Sequence, residues 1–88
     1  DTSTDVVLVL TTIPADFDVE AFARALVEAG VAACVNALPP MVSVYRWQGA
    51  LERSEERQVA IKTTAGRVAA LERAIIARHP YAVPELVV

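Results

Sequence analysis

Several residue types that usually carry chemistry are scarce in this chain. It has one cysteine, one histidine, one tryptophan and one methionine in 88 residues. A lone thiol, Cys34, cannot close an internal disulfide, which fits a reducing compartment and makes the cytoplasm the expected location. No apolar run approaches the roughly 20 residues a membrane-spanning helix needs. The first residues show neither a basic n-region nor an apolar stretch of the secretory kind. Lys and Arg number 8 against 11 Asp and Glu, for a net charge of −3, and no basic block is present. Without such a block the electrostatic support for phosphate backbones is missing, which argues against a nucleic-acid partner. No Gly-rich phosphate loop, Cys-x-x-Cys pair or local nucleophile–base motif can be found. An enzyme would have to assemble its site from distant residues.

What is abundant is small and branched apolar residues. The chain is 55% hydrophobic, high for one core of this size, so part of that surface is expected to be buried between subunits. Its length suits one domain spanning residues 1–88. Val6-Val7-Leu8-Val9-Leu10 is a continuous apolar run of the kind found in a central strand. Asp16 or Asp18 can cap the helix that follows. In it Phe22, Ala25, Leu26 and Ala29 share one face, and Gly30 stands just past its end. Residues 31–38 and 41–48 read as one long bent strand, because Pro39-Pro40 favours extended backbone without reversing the chain. Gln48-Gly49 is the hairpin turn. Residues 51–63 return, with Val59 and Ile61 on one face and Gln58, Ala60 and Lys62 on the other. The charged run 52–57 predicts that part of the hairpin protrudes. Thr64 is a candidate N-cap for a second helix carrying Val68, Leu71, Ile75 and Ile76, ended by His79 and Pro80. Residues 83–88 are expected to form a fourth strand, with Pro84 near its start.

The order βαββαβ defines an α+β fold: a ferredoxin-like sandwich with an antiparallel sheet, two helices on one face and a long protruding hairpin. The other sheet face would then lie bare unless a second subunit covers it.

The rare side chains gather on few segments. Cys34 and His79 are the two candidate metal ligands, with Met41 as a weak thioether, a donor set that permits copper although the spacing argues for no particular metal. One chain offers too few of them for a closed site. Cys34 reads equally as a small buried hydrophobe, and His79 as a helix-end residue that satisfies carbonyls. Tyr45 and Trp47, two apart on a strand, share a face and suit either a core or an interface and pocket wall. Tyr81 and Glu85 follow His79 on one loop, where a cation or a proton can be handled. Lys62 is either a solvated surface residue or a counter-ion for Glu85 or an anionic ligand.

With Ala33-Cys34-Val35-Asn36, the hairpin segment Ser43-Val44-Tyr45-Arg46-Trp47-Gln48-Gly49, Ile61-Lys62-Thr63 and His79-Pro80-Tyr81-Ala82-Val83-Pro84-Glu85 in this order, the chain resembles the CutA (CutA1) divalent-cation tolerance family. The likeness runs from the first strand to Glu85. It implies a ferredoxin-like subunit in a homotrimer of PII-like architecture, a divalent ion such as copper as ligand, and a role in metal tolerance without turnover. It implies Cys34 and His79 as metal ligands, and Tyr45, Trp47, Lys62, Tyr81 and Glu85 around an inter-subunit cleft. The alternative it leaves is a PII-like signalling or small-ligand-binding module that uses the same cleft. Family members continue past this point with a short strand and a C-terminal helix, which this sequence does not contain.

Overall fold

A computed structural model describes residues 3–88. Three strands, β1 (Val6–Pro14), β2 (Cys34–Trp47) and β3 (Ala50–Thr64), form an antiparallel sheet in the order β1-β3-β2. Helix α1 (Val19–Glu28) joins β1 to β2. A 3-10 turn (Ala65–Arg67) leads from β3 into α2 (Val68–Arg78).

Both ends of α1 are set by local chemistry. The Asp18 carboxylate accepts the Ala21 backbone N–H at 3.1 Å, satisfying one of the donors that a helix start leaves free. At the other end Gly30 takes φ +74°, Gly30 N–H donates to the Val27 carbonyl and Val31 N–H to that of Leu26. This double closure needs a left-handed residue at Gly30. Thr64, the candidate cap for the second helix, stands before the 3-10 turn instead, and its hydroxyl makes no capping bond.

The sheet's faces follow strand alternation. Val9 and Ile13 of β1 and Val59 and Ile61 of β3 point one way and are sealed by Phe22 and Leu26 of α1 and Leu71 and Ile75 of α2. Helices therefore cover one face only. Ile76, expected beside Ile75 on the buried side, is exposed instead. Within the core the hydroxyl of Thr11 is buried without a hydrogen-bond partner among the described residues.

The other face is open. It carries Val6 and Leu8, 77% and 48% exposed, with half-buried Leu10, Ala60 and Cys34 beside them.

β2 runs unbroken through Pro39-Pro40, with a register shift between Ala37 and Pro40 where the missing N–H donors fall. β1 ends its pairing at Pro14, opposite Glu56. Beyond the Ala15 N–H bond to the Glu55 carbonyl, residues 50–54 pair with β2 alone, an arm reaching about 17 Å beyond β1 at the usual strand rise. Gln48 (φ +50°) and Gly49 (φ +80°) close it as a two-residue turn whose twist matches that of the strands.

The expected fourth strand does not form as a strand. Residues 83–88 contribute a single bridge, in which Leu10 and Val87 exchange both backbone hydrogen bonds at 2.7 and 3.0 Å on the free edge of β1. Pro84 cannot donate to a ladder, and the chain stays irregular up to that bridge. The bridge has the place and direction of a fourth ferredoxin-like strand, without its length.

Candidate functional site

The segment after α2 folds back against the end of β1 around His79. The His79 ring is 8% exposed. Its Nδ1 accepts the Tyr81 backbone N–H at 3.1 Å, so Nε2 carries the proton and donates to the Thr12 carbonyl at 2.6 Å. The ring also meets Phe22 edge-on at 6.3 Å and Tyr81 at 4.9 Å. Both nitrogens are thus spent on holding the loop, and neither lone pair faces an open position.

This anchoring aims Tyr81 at β3. Its phenol donates to Glu56 Oε2 at 2.6 Å. Glu56 is only 6% exposed, although it sits in the charged run of the hairpin. Burial, and then the bond and charge of Glu56, push the Tyr81 phenol well above its ordinary pKa.

An open groove of about 790 Å³ forms along this edge. Its floor is the open sheet face at Thr12, Gln58 and Glu56. The hairpin arm supplies Met41, Tyr45 and Trp47 as one wall, and Tyr81 and Glu85 stand on the other. Strand alternation accounts for the arm's part: after the register shift, Met41, Ser43, Tyr45 and Trp47 share the face of Glu56 and Ser54. The Tyr45 hydroxyl is fixed by a 2.7 Å hydrogen bond with the Ser54 hydroxyl. Tyr45 and Trp47 remain 41% and 53% exposed.

Of the residues singled out from sequence, Tyr45, Trp47, Tyr81 and Glu85 come together in this groove. Lys62 does not line it. It is exposed, with Leu8 and Cys34 as its cross-strand neighbours. Cys34 is half-buried on the open face, with its thiol 3.7 Å from Asn36 Oδ1. It lies two strands across and four residues along from Thr12, the contact of His79, or about 16 Å by strand spacing and rise. One chain therefore does not bring Cys34 and His79 to a common ion. Among the described residues no group of three or more His, Cys, Asp or Glu side chains is placed to hold a metal.

Glu56 is the groove residue that sequence reasoning passed over. Its charged neighbours suggested a solvated arm. Its even position on β3 puts it on the face of Gln58; that β1 still pairs there, at Pro14, is a tertiary fact that the segment does not show.

A three-stranded antiparallel α+β sheet with two helices on one face, a bridge in the fourth strand's place and a long hairpin arm define a ferredoxin-like protein. The chain matches the CutA1 divalent ion tolerance protein family over residues 7–88, and it belongs to that family. The divalent-cation tolerance protein CutA of Thermus thermophilus is 42% identical over 91% of this chain and 78% of its own. A solved structure of Cut A1 from that organism superposes with a TM-score of 0.88 at 41% identity, covering 93% of this chain and 80% of the other. The PII-like protein CutA from Nostoc gives a TM-score of 0.82 at 35% identity over 91% and 75% of the two chains. A CutA from Archaeoglobus fulgidus, named as a periplasmic divalent cation tolerance protein, gives 0.86 at 29% identity over 93% and 79%. No helix among the described residues is long and apolar enough to cross a membrane.

Proposed function

We propose that this chain is a non-catalytic, homotrimeric protein that binds a divalent cation, with copper the best match, in the cell's tolerance of metal ions. The observation that carries this reading is the position of Cys34. Its thiol lies half-buried on a sheet face whose apolar residues, Val6 and Leu8 above all, need a cover that the chain's own helices do not provide. A second and third copy on that face would remove the apolar surface from water and bring further donors toward the thiol. The protruding arm, with Val42, Val44 and Leu51 exposed, supplies a means of reaching a neighbour. A thiolate ligand favours soft or borderline ions, copper among them. His79 stands as the second ligand only if Nε2 releases the Thr12 carbonyl, so Cys34 is the donor that the geometry favours. A cytoplasmic location fits the free thiol.

Titration with Cu(II), Zn(II) and Ni(II) tests this reading. Binding tighter than about 1 mM that weakens at least tenfold in Cys34→Ala is the expected result. Binding weaker than that, or unchanged in Cys34→Ala combined with His79→Ala, contradicts it.

The groove favours a second reading, that of a small-ligand-binding module of the PII-like kind. Its volume is in the range of small-molecule sites, and it has aromatic walls with a few polar groups converging on it.

A further inference from the structure

We draw no further inference here: the strongest candidate, the apolar surface patch where Ile76 and Glu72 of α2 meet Val83, Pro84 and Leu86 of the terminal segment, carries nothing because nothing in the structure shows what covers it.

Discussion

The two faces of the sheet are built from alternate residues of the same strands, yet they carry different chemistry. On β3, Val59 and Ile61 are wholly buried, while Gln58, Ala60 and Lys62, which alternate with them, look outward. On β1, Val9 and Ile13 are sealed and Leu8 is 48% exposed. The helix-covered face holds the chain together. The open face keeps apolar surface at one end, around Val6, Leu8 and Cys34, and a polar, aromatic groove at the other. A strand rises about 3.3 Å per residue and turns over at every step, so one substitution tests one face with little effect on the other.

Ile61→Ala should have the largest effect. It empties a fully buried position between sheet and helices and should cost about 2–5 kcal/mol in denaturant unfolding. That is a large share of the roughly 5–15 kcal/mol that a domain has. A loss under about 1 kcal/mol would mean that the helix-covered face is not the main core.

Tyr81→Phe comes next and belongs to the groove end of the open face. It leaves the Glu56 carboxylate without its donor and should cost about 1–3 kcal/mol. The same pair gives a pH dependence. The folded-state pKa of Tyr81 is raised, so its contribution is fully present below the ordinary phenol range near 10 and is lost as pH rises above it. Unfolding measured from pH 9 to 11.5 should show a fall in stability that Tyr81→Phe flattens. In a spectrophotometric titration Tyr81 should ionise well after an unperturbed phenol.

Thr11→Val should act in the opposite direction. The hydroxyl is buried without a partner among the described residues, and replacing it by a methyl of similar shape should stabilise the chain by about 1–2 kcal/mol. A destabilised variant would show that the hydroxyl has a partner after all.

Leu8→Ala should have the smallest effect on the folding of a single chain, under about 1 kcal/mol, because half of that side chain already faces water. Its effect on assembly should be larger. A loss of about tenfold or more in the association constant is expected.

Most of the fold is legible in the residues. The α1 periodicity with Asp18 before it and Gly30 after it, the alternation of β3, and the Gln48-Gly49 turn are local signals that tertiary packing did not override. The fourth strand misled because apolar composition in residues 83–88 says nothing about hydrogen-bond partners; only Leu10 and Val87 meet as strand residues do. Site legibility was uneven for a similar reason. Tyr45 and Trp47 share a face by simple alternation, and Tyr81 and Glu85 share a loop. Glu56 looked solvated among its charged neighbours, and its burial depends on where β1 ends, which its own segment does not encode. The engagement of His79 Nε2 depends on Thr12, 67 residues away in the chain, so no local motif could announce it; only the Nδ1 contact with Tyr81 N–H is local.

Sedimentation equilibrium of the chain at micromolar concentration, with and without Leu8→Asp, tests most directly whether the open face is an assembly surface. The expected mass is three times the 9.4 kDa of one chain, falling toward a single folded chain in the variant. A wild-type chain that sediments as a 9.4 kDa monomer, or a variant that stays trimeric, would contradict it.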